Sequence, residues 1–233
     1  VKHEAKDDAS PVTEVDRAAE TAMRKLIGKA RPQDGIFGEE FGVKNPDAET
    51  VWILDPIDGT KAFITGKPIF GILIGAVHKG QAVVGIVDGP ATGDRWIGAA
   101  GQPTTFNGKY AFTRKGRKLK DAWLTTTSPK MFSPRNLTRF NRLSKACHYT
   151  VYGSECQGYG QLACGWVDLV CEDTLAPYDY AALVPVIEGA GGIITDWKGK
   201  PLDFSSAGDA KSRNVLAAAD AALLAKAVAI LNR

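Results

Sequence analysis

Leu54–Lys61, which reads Leu-Asp-Pro-Ile-Asp-Gly-Thr-Lys, closes the apolar run Val51–Leu54 with two carboxylates, a glycine and a hydroxyl. The apolar run predicts a buried strand, and Pro56 fixes its own φ, so we expect a sharp turn just after Asp55. Asp55 and Asp58 can then face one point. Two carboxylates at such a distance repel each other unless a cation lies between them, and oxygen ligands favour Mg²⁺ or Mn²⁺ over Zn²⁺.

The end of the same stretch provides groups suited to phosphate. Gly59 allows the backbone to approach an anion, and the amide of Thr60 at the start of a helical turn would point at it. The motif therefore indicates metal-assisted phosphoryl chemistry. Taken alone it is equally consistent with a polar turn after a strand, since Asp, Pro, Gly and Thr are ordinary turn residues. Further acidic segments favour the site: Pro11–Asp16, Gly38-Glu39-Glu40 and Pro177-Tyr178-Asp179.

In this order, the segments resemble the motifs of the inositol monophosphatase family of magnesium-dependent, lithium-sensitive phosphatases. The resemblance runs from about Asp8 to Leu202 and rests on Val12-Thr13-x-x-Asp16, Gly38–Glu40, Asp55–Thr60, Tyr178–Ala182 and Glu188–Gly192. Within the family, Thr65–Gly71 and Tyr178–Trp197 look most like the histidinol-phosphatase branch. The resemblance implies a mixed α/β (α+β) sugar-phosphatase fold, a layered αβαβα sandwich of two sheets with metals at their junction.

The resemblance also implies roles for individual residues. Two or three Mg²⁺ ions, for which Mn²⁺ could substitute, would be held by Glu39, Asp55, the carbonyl oxygen of Ile57, Asp58 and Asp179. Asp55 would bridge two cations, and Thr60 and Asp16 resemble the pair that orients and deprotonates the attacking water. Gly59 and Thr60 would bind phosphate. Outside this context, Asp16 would be a helix N-terminal acid and Thr60 a simple cap.

Two acids of the second half are assigned to the substrate. Glu172 lies seven residues before Asp179, and it does not discriminate because the matching acid of inositol phosphatases contacts ring hydroxyls. Glu155 discriminates better, since the histidinol-phosphatase branch usually has an acid there, often aspartate, and a carboxylate pairs with an ammonium. A helix N-terminal acid is the alternative for Glu155. Tyr178 agrees with this branch, because the inositol and adenosine-bisphosphate branches usually have tryptophan at that position.

We therefore expect a phosphoric monoester hydrolase acting on L-histidinol phosphate in histidine biosynthesis. Inositol 1-phosphate is the first alternative substrate and adenosine 3′,5′-bisphosphate the second. An alternative of another class is a catalytically silent, metal-binding regulatory protein on the same fold. The family suggests a homodimer. The chain opens at Val1 without a methionine, which is compatible with a missing native N-terminal segment where the family usually has a helix.

Composition agrees with a small-molecule enzyme. At 233 residues and 44% hydrophobic content, the chain can bury a core as one domain or as two intimately packed halves, 1–130 for metal and phosphate and 131–233 for substrate. Its 29 basic minus 26 acidic residues leave only +3, and the basic stretch Arg114–Lys120 lacks interleaved aromatics, so we expect no nucleic acid. Ala221–Leu231 is too short to span a membrane. The four cysteines form no Cys-x-x-Cys pair, which favours free thiols in a reducing cytoplasm.

Patterning predicts the elements that carry these residues. The predicted helices are Glu14–Gly28, Pro134–Ala146, Gly158–Gly165, Tyr178–Gly189 and Ala221–Leu231. The predicted strands are Val51–Leu54, Ile69–Val77, Ala82–Val87, Arg95–Ala99, Trp123–Thr127, Tyr149–Tyr152, Val167–Cys171, Gly192–Thr195 and Val215–Ala218. The first strands should form a meander, because short glycine-containing turns separate them.

Overall fold

The computed structural model describes residues 2–5, 11–204 and 213–233. The strands are β1 (Glu4–Ala5), β2 (Pro11–Val12), β3 (Gly35–Gly38), β4 (Gly42–Lys44), β5 (Thr50–Asp58), β6 (Gly71–His78), β7 (Gln81–Gly89), β8 (Asp94–Ala99), β9 (Thr105–Phe106), β10 (Lys109–Tyr110), β11 (Trp123–Thr126), β12 (Tyr149–Tyr152), β13 (Leu169–Leu175), β14 (Ile193–Thr195) and β15 (Arg213–Ala218). The helices are α1 (Glu14–Ala30), α2 (Thr60–Ile64), α3 (Pro134–Ala146), α4 (Gln157–Ala163), α5 (Pro177–Tyr180), α6 (Leu183–Gly189) and α7 (Ala221–Leu231). Two 3₁₀ turns cover Leu119–Asp121 and Pro129–Met131.

Two main sheets organise the chain. The larger has eight strands in the order β10-β9-β8-β7-β6-β5-β3-β4, and the smaller has five in the order β12-β11-β13-β15-β14. In the larger sheet β5, β6, β7 and β8 pair antiparallel with their neighbours along the chain, so the predicted meander is confirmed. In the smaller sheet β12, β11 and β13 run parallel, whereas β15 runs antiparallel to both of its neighbours. β1 and β2 form a separate antiparallel pair.

Helices cover the sheets in layers. Helix α1 packs on β5, while α4, α5 and α6 contact both the larger and the smaller sheet or each other. Helix α1 and the middle helices lie on opposite faces of the larger sheet, because neighbouring residues of a strand point to opposite sides. On β3, Phe37 contacts Tyr178 of α5. A Cβ on the next residue, Gly38, would instead meet Glu20 of α1. Helices α3 and α7 pack together, and α7 lies on β15. The order helix, sheet, helix, sheet, helix confirms the predicted αβαβα sandwich.

A row of three glycines brings the middle helices onto the larger sheet. Gly75, Gly85 and Gly98 are register partners on β6, β7 and β8. A Cβ on Gly85 would lie 1.9 Å from the carbonyl oxygen of Ala182, and one on Gly98 would lie 2.3 Å from that of Pro185. No other residue type permits this approach. The glycine row therefore sets the distance of α6, and of α5 just before it, from the larger sheet.

Several predicted boundaries were wrong. The chain does not turn sharply after Asp55, because β5 continues to Asp58 and the register with β6 shifts between these two residues. Such a bulge accommodates Pro56, which cannot donate to a ladder. The single helix predicted over Tyr178–Gly189 is two short helices, α5 and α6. Strands β3 and β4 were not predicted, and Asp8, where the resemblance starts, lies outside the described residues.

The core joins the two predicted halves. One cluster contains Phe37 and Leu73 of the first half with Tyr180 and Val186 of the second. The division at residues 130 and 131 stays a prediction. All four cysteines are free thiols. Across the described ranges, no helix combines the length and the apolar character that crossing a membrane requires.

Candidate active site

Three carboxylates from two elements meet at the junction of the sheets. Asp55 and Asp58 come from the bulged end of β5, and Asp179 comes from α5. One oxygen of each lies within 4.8 Å of the others, and Asp55 is only 2% exposed. The bulge is the local reason that two acids of one strand face one point. Hereafter, the acidic centre denotes these three residues with Glu39.

Backbone amides fix the orientation of each carboxylate. The amide of Ile57 donates to Asp55 Oδ1 at 3.0 Å, and that of Ala176 donates to Asp179 Oδ2 at 2.7 Å. The amide of Cys156 donates to Asp58 Oδ2 at 2.6 Å, which ties the end of β5 to the start of α4. The carboxylates are thus held close together by the fold itself.

Burial and mutual repulsion act on these acids in the same direction. Burial, followed by the charges of Glu39, Asp58 and Asp179, raises the pKa of Asp55 well above its usual range. Burial also raises the pKa of Asp179 well above its usual range and that of Asp58 to about 6. A bound cation would reverse these shifts, because it stabilises the charged form. An all-oxygen donor set of this kind fits a hard divalent ion such as Mg²⁺.

The residues after the bulge lie at the edge of the centre. The hydroxyl of Thr60 donates to the carbonyl oxygen of Ile57 at 3.1 Å. Gly59 has a φ of 82°, and a Cβ there would lie 2.8 Å from Cγ of Glu155. Gly59 therefore satisfies two requirements at once, a left-handed backbone and a close approach to Glu155.

Asp16 is fully buried in the first turn of α1. Its Oδ2 accepts from the amide of Thr13 at 2.9 Å and from the Thr13 hydroxyl. Its Oδ1 is buried and has no hydrogen-bond partner among the described residues. Strand β2, just before Thr13, contacts α2, so the start of α1 lies beside the helix that begins at Thr60. The Thr60 hydroxyl donates to Ile57, and the expected joint action of Thr60 and Asp16 on a water stays a prediction.

A cleft of about 810 Å³ opens beside the acidic centre. Glu39, Gly59, Thr60 and Glu155 line it, and their roles as metal ligand, phosphate-binding residues and substrate-binding residue stay predictions. Glu155 is half-buried with a left-handed φ of 45°. Burial, then the charges of Asp58 and Glu172, raises its pKa to about 8.

Glu172 lies behind the cleft wall and is not among the residues that line it. The amide and hydroxyl of Thr127 donate to its Oε1 at 3.0 and 2.6 Å, and the Tyr159 hydroxyl donates to its Oε2 at 3.1 Å. Burial raises the pKa of Glu172 to about 7. Because Thr127 does line the cleft, Glu172 reaches the cleft through Thr127, and a direct substrate contact stays a prediction.

Sequence reasoning missed other residues of this cleft. The additional polar residues that line it are Lys61, Thr65, Lys67, Thr127, Ser128 and Lys130. Lys61 directly follows the Asp55–Thr60 motif, and Thr65 and Lys67 lie within Thr65–Gly71, so the local sequence could have identified these three. The others follow β11 and have no pattern of their own, so only the fold brings them to the cleft.

Comparisons with known proteins agree with this geometry. The model of the "Inositol monophosphatase family" matches residues 1–232. "Bifunctional phosphatase IMPL2, chloroplastic" of Arabidopsis thaliana is 50% identical over 219 residues, which are 92% of this chain and 63% of that protein. A histidinol-phosphatase of Streptomyces coelicolor is 35% identical over 86% of this chain and 79% of its own length.

A solved structure of an inositol monophosphatase from Zymomonas mobilis superposes with a TM-score of 0.87. It is 45% identical, and the match covers 99% of this chain and 87% of that one. The present chain therefore spans less than two thirds of IMPL2 but most of the Zymomonas protein. The family model, the relatives and the solved structure each match most of the chain: it belongs to the inositol monophosphatase family.

Proposed function

We propose that this protein is a Mg²⁺-dependent phosphatase of L-histidinol phosphate. The observation that carries the proposal is the position of Glu155, a half-buried carboxylate in the wall of the cleft that opens beside the acidic centre. One end of the cleft suits a phosphate held through metal, and Glu155 suits a cationic organic group. L-Histidinol phosphate carries both.

The acidic centre is the proposed metal site. Glu39, Asp55, Asp58, Asp179 and the carbonyl oxygen of Ile57 would hold two or three Mg²⁺ ions, with Mn²⁺ as a substitute. When bound, the metal supplies charge neutralisation for the phosphate and lowers the pKa of a coordinated water. The raised pKa values of Asp55 and Asp179 support this assignment, because they report a repulsion that a cation would relieve.

The chain's own groups would bind and orient the phosphate. Lys61, Lys67 and Lys130 line the cleft, and cations in a partly enclosed cleft attract a dianion more strongly than cations in open water. The amides of Gly59 and Thr60 lie at the start of α2, where backbone N–H groups point outward. Together these groups would set the phosphate against the acidic centre.

Thr60 and Asp16 are the proposed water-activating pair. Thr60 would orient the attacking water, and Asp16 Oδ1 would take up its proton. The support for Asp16 is its buried Oδ1, which has no partner among the described residues and thus retains its capacity to accept. A positioned base contributes typically about 10² to 10⁴ in rate.

Glu155 would pair with the ammonium group of histidinol. Histidinol-phosphatases of Mycobacterium tuberculosis and Streptomyces coelicolor are 34% and 35% identical to this chain, which supports the same substrate. The Zymomonas inositol monophosphatase, at 45% identity, supports inositol 1-phosphate as the second candidate. Adenosine 3′,5′-bisphosphate ranks below both. A silent regulatory protein is the remaining alternative, although all five proposed metal ligands are present.

A substrate panel tests the proposal. Initial rates at fixed Mg²⁺ with histidinol phosphate, inositol 1-phosphate, adenosine 3′,5′-bisphosphate and fructose 1,6-bisphosphate should give the highest kcat/KM for histidinol phosphate. A generic aryl phosphate with and without Mg²⁺ separates enzyme from silent protein. A higher kcat/KM for inositol 1-phosphate would reject the histidinol assignment, and no Mg²⁺-dependent hydrolysis of any ester would reject the phosphatase. The cytoplasmic location and the homodimer also stay predictions, the second measurable by light scattering.

A further inference from the structure

A second charged region lies on the opposite side of the smaller sheet from the cleft. Helix α3, Pro134–Ala146, carries four cationic residues and no acid, in a chain whose net charge is only +3. Arg135, Arg139 and Arg142 recur at the helical spacing that places them on one side of the helix. We call these three residues the arginine face. Arg135 also lies in the first turn, where the helix dipole disfavours a cation, so intrinsic helix stability does not explain it.

The arginine face borders a cavity with the end of α7. The cavity has a volume of about 320 Å³, and its lining is rich in hydrogen-bond donors: Arg135, Thr138, Arg139, Arg142, Asn232 and Arg233, with Leu231 as the apolar member. Its size lies at the low end for ligand sites and suits a small molecule. None of these lining side chains is a carboxylate.

Arg139 is held rigidly at the centre of this face. Its Nε donates to the carbonyl oxygen of Leu231 at 2.5 Å, and one terminal nitrogen donates to Asn232 Oδ1 at 2.7 Å. Its guanidinium carbon lies 5.1 Å from the ring centroid of Trp197. Burial, followed by the charges of Arg135 and Arg142, lowers the pKa of Arg139. All three arginines line one cavity, and Arg135 and Arg142 both disfavour the charged form of Arg139.

The neighbouring arginines retain unused donors. Arg135 is exposed and forms neither a hydrogen bond nor an ion pair with any described residue. Arg142 donates from one terminal nitrogen to the carbonyl oxygen of Arg233 at 2.6 Å, while its buried Nε has no partner in the described ranges. Asp173 is the carboxylate that acts on Arg139, but its oxygens already accept from Asn136 and the amides of Ser133 and Thr174.

We propose that the arginine face is a binding site for a small phosphate-class oxyanion, with inorganic phosphate as its simplest ligand. Guanidinium groups match the oxygens of phosphate in charge and in fork geometry. Rigid Arg139 provides the fixed cation, and Arg135 and Arg142 provide free donors on either side of it. An anion bound there would relieve the repulsion among the three cations. This site is separate from the acidic centre and does not depend on the proposed substrate.

Phosphate binding to the metal-free protein tests the proposal. Without Mg²⁺ the acidic centre repels anions, so calorimetric titration with inorganic phosphate in EDTA at low ionic strength reports other sites. Wild type should bind phosphate, and Arg135→Ala/Arg142→Ala should weaken Kd at least about tenfold, as expected for charge-assisted hydrogen bonds. The matched control is Lys25→Ala/Lys29→Ala, which removes two exposed cations from α1 and should change Kd less than twofold.

A second variant distinguishes a loss of phosphate binding from a loss of folding. Arg135→Gln alters an exposed side chain with no described partner and should fold normally, yet it should weaken Kd measurably and reduce the rise in Tm that phosphate gives wild type. Absence of phosphate binding by wild type would overturn the proposal. So would equal weakening in the α1 control, or full binding by the double arginine variant, which would place the phosphate at the lysines of the cleft. Binding of single-stranded RNA in place of phosphate would also overturn it.

Discussion

The acidic centre and the arginine face are both clusters of like charge, but the fold treats them differently. Asp55 is buried and Asp58 and Asp179 are half-buried, and backbone amides hold all three with one oxygen of each within 4.8 Å of the others. The guanidinium groups lie on the surface of a helix, and only Arg139 is firmly held. Burial and neighbouring like charges raise the pKa of Asp55 and lower that of Arg139, so in each cluster they disfavour the charged form of that group.

The difference shows how tightly each cluster must bind its counterion. Desolvation makes repulsion costly inside the protein, whereas water and salt screen it at the surface. The acidic centre therefore needs a tightly bound cation before all its groups can ionise. The arginine face remains charged without a ligand, because a guanidinium does not release its proton, and its counterion can be exchangeable.

The largest effect should come from Asp55, the proposed bridging ligand. Asp55→Asn should abolish turnover, because a neutral amide would not hold two cations, and bound metal would contribute several kcal/mol of charge stabilisation. The metal-free variant should melt at or above the wild-type temperature, since one repelling charge is removed. Initial rates and melting in EDTA measure both quantities.

Asp168→Asn is the contrasting variant for this test. Asp168 is also fully buried, but it pairs with Arg114 through two bonds of 2.9 and 2.8 Å. Its loss should lower Tm with little change in kcat, because the half-exposed guanidinium of Arg114 and the amide of Trp123 lose their charged acceptor. Retention of more than about a tenth of wild-type turnover by Asp55→Asn, against the several kcal/mol expected, would disprove the two-metal assignment.

The next effect concerns the pair beside the acidic centre. Thr60→Ala and Asp16→Asn should each lower kcat by about 10² to 10⁴ while the Mg²⁺ requirement stays nearly constant. The double variant should resemble the worse single variant, because residues that act as a unit are not additive. Glu14→Gln, which removes an exposed charge from the same helical turn, should retain kcat. Additive losses, or a large rise in the Mg²⁺ requirement, would show that the two residues do not act together.

A smaller effect is expected at Glu155. Glu155→Gln keeps the size of the side chain and removes its charge, at a cost of roughly 1.5 to 3 kcal/mol for a charge-assisted bond. We expect about a ten- to hundredfold loss in kcat/KM for histidinol phosphate. An amine-free aryl phosphate, assayed in parallel, should be hydrolysed equally by variant and wild type. A parallel fall for both esters would assign Glu155 to support of the site rather than to substrate choice.

The smallest effect is a pH dependence of the metal-free protein. Folding raises the pKa of Asp58 to about 6, of Glu172 to about 7 and of Glu155 to about 8. The folded state therefore holds protons that the unfolded state has released, so stability falls as pH rises from the ordinary carboxyl range near 4 to about 8. The Tm in EDTA should fall by roughly 4 °C or more over this range, where about 1 kcal/mol shifts Tm by 2 to 4 °C.

Saturating Mg²⁺ should reduce that pH dependence, because a bound cation would stabilise the ionised form of Asp58, whereas Glu155 and Glu172 are not proposed metal ligands. Arg135→Gln should leave the pH profile unchanged, since arginine does not titrate in this range. A Tm in EDTA that rises with pH would contradict the raised pKa values. Scanning calorimetry at four or five pH values is sufficient to decide.

The motifs and the helical patterns were predictable because they are local. The helices Pro134–Ala146 and Ala221–Leu231 and the strand Tyr149–Tyr152 have the predicted bounds. Strand β3 was not predictable, because Gly35–Gly38 is short and half of its residues are glycine. No periodicity therefore identifies it. The bulge after Asp55 also escaped prediction, since a proline that ends a strand and one within a bulge have the same local sequence.

The residues of the candidate site also fall into those that local motifs predict and those that they do not. Asp55, Asp58 and Asp179 were found through motifs and come together in space. The position of Glu172 behind Thr127 depends on long-range pairing of β11 with β13, which one sequence does not reveal. Lys130, in the turn that follows β11 and contacts β13, lies in the cleft for the same reason.

The glycine row has a consequence for how the acidic centre tolerates change. At Gly75, Gly85 and Gly98 the middle helices pack directly on the backbone of the larger sheet rather than on side chains, so the distance between β5 and α5 depends on the absence of side chains there. A methyl group on Gly85 would push α6 away from the sheet and displace Asp179 relative to Asp55. We expect such a substitution, although distant from the cleft, to weaken metal binding before it lowers the stability of the fold.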